Sequence, residues 1–361
     1  MDQTFKSDEA VDAIQTAKAA GLYYVAEDSA GFERRRSGRG FTYRLANGNR
    51  LTDRLHLARI RLLAVPPAWT DVWISSNPRG HIQATGRDAR GRKQYRYHSE
   101  FRKVRDSAKY QHLVAFAEAL PRIRARVAAD MALSDLPREK VVATVVNLLE
   151  TTLIRIGNAD YARENKSYGL TTLNNQHIKV QGAELRFRFT GKSGRSWRLT
   201  LKSRRVAKVV RACQELPGQQ LFQYADAHGE IHNVTSTDVN DYLRAVSGLD
   251  ISAKDFRTWG GTVEAALALH RAGAGVTDAE AKRTLKTVLV SVAAQLGNTV
   301  NICRKCYIHP QIIDQYLGGG LTLATSAGKN GQECSLSPEE AAVLSLLVGT
   351  EKIPTDAAAL L

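Results

Sequence analysis

Cysteine is scarce in this chain, and what is present is badly spaced for cross-linking. Four residues, at positions 213, 303, 306 and 334 of 361, cannot form a disulfide framework for a protein of this size. Their use points to a reducing, cytoplasmic setting. Long apolar runs are also missing: none approaches the ~20 residues that a membrane-spanning helix needs. The first ten residues, Met-Asp-Gln-Thr-Phe-Lys-Ser-Asp-Glu-Ala, lack the basic-then-apolar pattern of a secretory leader. Acidic residues are outnumbered. Against 51 Lys and Arg stand 36 Asp and Glu, a net charge of +15. Such a surplus argues for a polyanionic partner, nucleic acid first and an anionic membrane surface second.

Several catalytic signatures are absent as well. There is no His-Glu-x-x-His, no nucleophile-elbow serine and no dinucleotide fingerprint, since Gly273-Ala-Gly275 lacks the flanking pattern. A Walker-type phosphate loop would need a glycine five residues before Gly191, where the chain has Arg186. Cys303, Cys306 and His309 form Cys-x2-Cys-x2-His, but a closed zinc site needs a fourth ligand and no other paired cysteines supply one. No metal site is expected.

The periodicity that is present predicts two kinds of region. Residues 1–20 read as a short helix or loose leader. From 22 to about 98, short strands alternate with turns: Leu22–Val25, Phe41–Leu45, Val72–Ser75, His81–Thr85 and Arg92–His98. A helix capped by Thr52 and stopped at Pro66-Pro67 interrupts them. From Ser99 the spacing turns helical. One or two helices should end near Pro121, a second should run from Pro121 to Leu133, and a strongly apolar one should carry Arg155 at its end. A small sheet is expected over 178–201, with Lys192 at a hairpin tip. Further helices follow at about 203–215, 236–246, 252–269, 278–295 and 338–347. The domain expectation is a leader (1–20), a strand-rich domain (21–105), a mainly helical domain (106–317) and a Gly-rich, polar tail (318–361).

Two stretches bear on chemistry. Between Arg79 and Arg105 there are nine Lys or Arg and two acids, Asp88 and Glu100. Strand alternation puts Gln94, Arg96 and His98 on one face and Tyr95 and Tyr97 on the other. Cations for phosphate, an amide for base edges and aromatic rings suit a nucleic-acid surface, or alternatively a solvated face whose tyrosines point into the core. The second stretch is Leu296–Pro310, where Tyr307 follows Arg304 and Lys305 closely. A phenol becomes a usable nucleophile when cations favour its charged form.

Five positions, Arg155, Lys192, Arg257, Asn298 and Tyr307, stand in an order and local context that resemble the catalytic set of poxvirus-like type IB DNA topoisomerases, in their bacterial branch. The stretches that carry the likeness are ETTLIRIGNADYARENKSYGLTTL (150–173), FTGKSG (189–194), KDFRTWGG (254–261), LGNTVNICRKCY (296–307) and GRDARGRKQYRYH (86–98). The likeness covers about residues 20–317. In one respect the chain departs from it: Asn298 stands where the poxvirus enzymes and many relatives have histidine.

The resemblance implies an α+β chain with a small strand-rich N-terminal domain and a mainly helical catalytic domain containing a small β-sheet. It implies relaxation of supercoiled duplex DNA through a 3′-phosphotyrosyl intermediate on Tyr307, with neither ATP nor metal. Arg155 and Arg257 would clamp the phosphate, Asn298 would donate a further hydrogen bond, and Lys192 would protonate the leaving 5′ oxygen with help from Lys254. Arg92, Gln94, Tyr95, Tyr97, Tyr161 and Lys254 would contact DNA. The protein would act as a monomeric clamp, associated with the nucleoid in the cytoplasm and with no membrane partner. A tyrosine site-specific recombinase shares this catalytic logic, but usually has a helical N-terminal domain and a histidine where Lys254 stands. A non-catalytic basic DNA-binding protein would explain the charge alone.

Overall fold

Five antiparallel strands, β1 (Gly31–Ser37), β2 (Gly40–Arg44), β3 (Thr70–Ser75), β4 (Ile82–Arg87) and β5 (Lys93–Tyr97), form one sheet in the order β2-β1-β3-β4-β5. Register aligns Phe32, Ile74, Ala84 and Arg96 across it. The first three of these are buried with Leu51, Val72 and Ile60, the last on helix α1 (Arg54–Leu62). The sheet belongs to the first of two compact units, Met1–Gln111 and His112–Leu361. The computed structural model describes residues 13–26, 29–324 and 334–351. Residues 13–19 are helical, and the remainder of the expected leader before them lies outside the described residues.

Strand β1 escapes the alternation rule because Glu33-Arg34-Arg35-Arg36 reads as a solvated run. Arg34 is nonetheless buried, its guanidinium donating to the carbonyls of Val65 (3.3 Å), Pro66 (3.1 Å) and Trp69 (2.7 Å). It thereby fixes the Pro66-Pro67 loop. Leu22–Val25 is no strand: Tyr23 makes one isolated bridge, to Gly80. The cap of α1 is Asp53 rather than Thr52, its carboxylate accepting the His56 amide at 2.9 Å.

Pro121 does not end a helix. Helix α2 runs unbroken over Ser99–Met131 with Pro121 inside. Proline removes one internal hydrogen bond, but Phe116, Leu120, Ile123 and Val127 continue a buried stripe across it and keep the two halves together. Helix α3 (Arg138–Thr152) is buried on nearly all sides by Val141, Val142, Val145, Val146, Leu148 and Leu149. Burial overrides the modest helix propensity of its valines.

Against α3, which α4 (Ala159–Asn165) follows in the chain, pack α5 (Arg204–Glu215), α6 (Ser236–Ser247) and α7 (Ala253–Ala272). Helix α8 (Asp278–Gln295) packs on α7, α9 (Val300–Cys306) on α8, and α10 (Pro310–Leu317) on both α7 and α8. A three-stranded antiparallel sheet, β6 (Ile178–Gln181), β7 (Glu184–Thr190) and β8 (Ser196–Lys202), lies among them, and β9 (Gln223–Ala225) pairs with β10 (Ile231–Asn233). The region after Gly318 is more than polar tail. Helix α11 (Pro338–Glu351) buries Ala342, Val343 and Leu347 in the core of the second unit. Its Glu340 accepts from Arg124 (2.8 and 3.0 Å) and from the indole of Trp259 (3.1 Å).

Candidate active site

Helix α3 stops because Leu153 takes a left-handed conformation, φ 53°. This turn throws Arg155 out of the helix, contrary to the expectation that Arg155 would sit at its end. The extended segment is held from the side: Leu170 and Thr171 donate their amides to the carbonyls of Arg155 (2.9 Å) and Ile156 (2.7 Å). The half-buried guanidinium of Arg155 then donates through Nη2 to the Gly297 carbonyl (3.0 Å) and to the side-chain oxygen of Asn298.

Arg257 arrives from the first turns of α7. That helix begins at Ser252, the expected cap, whose amide (2.8 Å) and hydroxyl (3.0 Å) both donate to the Asp255 carboxylate. Its guanidinium is 3% exposed and donates to the carbonyls of Leu153 and, at 2.7 Å, Leu296. These bonds tie the end of α3 to the end of α8. Gly261 lies one turn further on. A Cβ there would stand 2.8 Å from the Tyr307 carbonyl, so only glycine lets the α9–α10 junction approach. Thr262 reinforces the junction: its hydroxyl donates to the Thr258 carbonyl (2.8 Å) and accepts the His309 amide (3.1 Å).

Tyr307 closes α9, its amide bonded to the Cys303 carbonyl at 3.0 Å. Its ring lies 5.1 Å from the Arg257 guanidinium carbon. Lys192 comes from the β7–β8 hairpin, exposed, with its ammonium 5.8 Å from the ring of Tyr161 on α4. Arg155, Lys192, Lys254, Arg257, Tyr161 and Tyr307 all line one cleft of about 300 Å³. Tyr168 lines it too and was not singled out in the sequence. Its amide donates to Thr190 (2.8 Å), a backbone contact that no spacing rule reveals.

Electrostatics set this cleft apart. Burial, then the neighbouring Arg257, pulls the Arg155 guanidinium down to about 10. Burial also lowers Arg257, opposed by the Tyr307 phenol. Both shifts mean that cations are held where water screens them poorly. Nη1 of Arg155, Nε of Arg257 and Nδ2 of Asn298 are buried and bond to no protein group. Three such donors within one site favour an anion with several oxygens.

The Cys-x2-Cys-x2-His pattern does not assemble into a ligand set. Cys303 is fully buried, and among the described residues the ligand atoms of Cys303, Cys306 and His309 are not grouped within reach of a common ion. The His309 ring instead accepts the Gln311 amide (3.2 Å) and caps α10.

In the first unit, Arg96 reaches over Trp69 on the core face of β5, its guanidinium carbon 5.8 Å from the ring. Tyr95 and Tyr97 therefore point away from that core, stacked at 5.8 Å. Lys93 and Arg105 stand over them, at 5.7 and 5.3 Å. Arg92 and Gln94 converge on Asp88: the guanidinium forms a 2.7 Å ion pair and the Gln94 amide donates at 3.0 Å.

The model for the eukaryotic DNA topoisomerase I catalytic core matches residues 98–319, and that for the bacterial DNA topoisomerase IB N-terminal domain matches residues 40–88. The chain belongs to the type IB DNA topoisomerase family. It is similar to the DNA topoisomerase 1B of Acanthamoeba polyphaga mimivirus, 29% identical over 293 residues, which cover 79% of this chain and 87% of that one. It is also similar to the DNA topoisomerase 1B of vaccinia virus (strain Copenhagen), 23% identical over 232 residues, covering 63% and 70%.

Proposed function

We propose that Tyr307 attacks a phosphodiester of duplex DNA and forms a 3′-phosphotyrosyl ester, releasing a 5′-hydroxyl end about which the duplex can rotate. Return of that hydroxyl re-forms the bond. The ester conserves the energy of the original linkage, so the cycle needs no nucleotide. The observation that carries this reading is the set of three buried, unpartnered donors on Arg155, Arg257 and Asn298, with Arg155 bonded to Asn298 and Arg257 against the Tyr307 ring. They suit the non-bridging oxygens of a phosphate whose negative charge grows in the transition state. Arg155 and Arg257 clamp those oxygens, and Asn298 adds a neutral donor. Lys192, on its exposed tip, supplies the proton to the leaving 5′ oxygen, with Lys254 across the cleft assisting.

The Tyr95–Tyr97 stack between Lys93 and Arg105 supports a role in duplex binding, with Arg92 and Gln94 at its edge. Tyr161, beside Lys192, would contact the strand being cut. We take the working unit to be one copy on duplex DNA, associated with the nucleoid. Among the described residues no helix is long and apolar enough to cross a membrane.

The test is supercoiled plasmid incubated in EDTA without ATP. Relaxation is expected, with a covalent adduct at the 3′ side of the nick after denaturant is added. Tyr307→Phe should bind duplex and do neither. An adduct on a 5′ phosphate, or one that survives in Tyr307→Phe, would sink the assignment, and recombinant products would make the chain a recombinase.

A further inference from the structure

We propose that Trp197 is a positioning residue that sets the place of Lys192, a role that rests on the reading of Lys192 given above. Trp197 follows the hairpin tip, directly across from Phe189 in register and stacked on it at 6.0 Å with the planes 2° apart. From there its indole spans two glycines. A Cβ on Gly191 would stand 2.7 Å from Nε1, and a Cβ on Gly297 would stand 2.7 Å from Cζ2. Neither approach is possible for any residue with a side chain.

Those glycines are the immediate neighbours of site residues. Gly191 precedes Lys192, while Gly297 precedes Asn298 and accepts from Arg155. One rigid bicyclic ring therefore gauges the separation between the hairpin and the turn that holds the phosphate donors. Apart from the Tyr168–Thr190 bond at its base and the backbone bonds within the turn, the tip is exposed from Lys192 to Ser196. Trp197 and Gly297 also wall a separate cavity of about 510 Å³. Without the indole, the hairpin has room to shift toward that space and carry Lys192 away from the scissile bond. General-acid catalysis depends on heavy-atom distance, and a misplacement of about 1 Å can cost ~10²-fold.

The experiment measures single-turnover formation of the covalent complex for wild type, Trp197→Ala, Lys192→Ala and the double variant. Each is assayed on ordinary duplex and on duplex with sulfur at the 5′ bridging position. A 5′-thiolate leaves without a proton, so defects in proton delivery recover on sulfur. Trp197→Ala should form the complex ~10²-fold more slowly on oxygen and regain most of that loss on sulfur, with duplex affinity within about threefold of wild type. The double variant should be no slower than Lys192→Ala by more than a few-fold, because the indole acts through the lysine.

Multiplication of the two single defects in the double variant would overturn the proposal, as would a wild-type rate in Trp197→Ala. If Lys192→Ala itself fails to recover on sulfur, the general-acid reading of Lys192 falls. The oxygen comparison of single and double variants then still decides Trp197. Should Trp197→Ala not fold, Trp197→Phe, which keeps the stack on Phe189 but cannot span both glycines, takes its place with a smaller defect and the same decision.

Discussion

Nη2 of Arg155 grips the side-chain oxygen of Asn298, and this bond orients the amide. With the oxygen engaged, Nδ2 is the free end of Asn298, buried and bonded to no protein group. On the proposed reading a neutral amide would do the work of a donor without titrating between pH 5 and 8, the range in which a histidine would change charge.

Asn298→Ala should lower the rate of covalent-complex formation by ~10²–10³, the usual cost of one lost donor to a developing oxyanion. Asn298→His should restore much of the rate below its own titration and lose it as pH rises. The check is single-turnover cleavage from pH 5 to 8. A histidine variant whose profile runs parallel to wild type would mean that position 298 does not touch the phosphate.

Arg257 and Arg155 should differ in what they do for folding. Arg257→Met leaves two buried carbonyls, Leu153 and Leu296, without a donor, at about 1–3 kcal/mol each. Arg155→Met likewise unpairs the Gly297 carbonyl and the Asn298 side-chain oxygen. Arg155 is only half-buried where Arg257 is almost fully so, and the variant should cost less because water can reach the space it leaves. Thermal melting should rank the midpoints wild type, then Arg155→Met, then Arg257→Met, with cleavage lost in both variants. Equal midpoints would argue against Arg257 as the tie between α3 and α8.

His112 and Asp255 form an ion pair at 3.5 Å at the start of α7. The Asp255 hydrogen bond raises His112 above its ordinary 6.5, and His112 holds Asp255, although it is well buried, below its ordinary 3.8. The histidine contribution is therefore full below pH 6.5 and is lost as pH rises through the raised value. The aspartate contribution is present above pH 3.8 and is lost on acidification below it. Between pH 6 and 8 wild type should lose stability that His112→Gln does not. Melting curves across that range would check it, and parallel curves would refute it.

Glu340 anchors α11 to Arg124 and Trp259. Glu340→Ala should destabilise the second unit by about 1–3 kcal/mol, since Arg124 keeps Glu150 but the Trp259 indole loses its acceptor. Amide exchange should speed up first in 338–351. Unchanged exchange there would show that apolar contacts alone hold the helix.

Much of this could be read from the linear sequence, because the information is local. The periods of 2 and 3.6 separate the strand-rich first region from the helical second one, and the cap at Ser252 is a rule about neighbours. The five site positions were found through their order and immediate surroundings, and the net charge of +15 pointed toward a polyanion without any fold. Where the local signal is ambiguous the pattern misleads: three arginines hide β1, and Pro121 looks like a helix end.

Tertiary structure alone decided the rest. Alternation separates Tyr95 and Tyr97 from Arg96, but which side is the core depends on where α1 and its Ile60 pack. That Asn298 is held by Arg155, 143 residues away, follows from the left-handed turn at Leu153 and the meeting of α3, α7 and α8. The span of Trp197 between Gly191 and Gly297 is likewise a contact between segments that share no sequence rule. Propensity and pattern act over a few residues, whereas a catalytic distance is fixed only when distant segments exclude water from one another and pack.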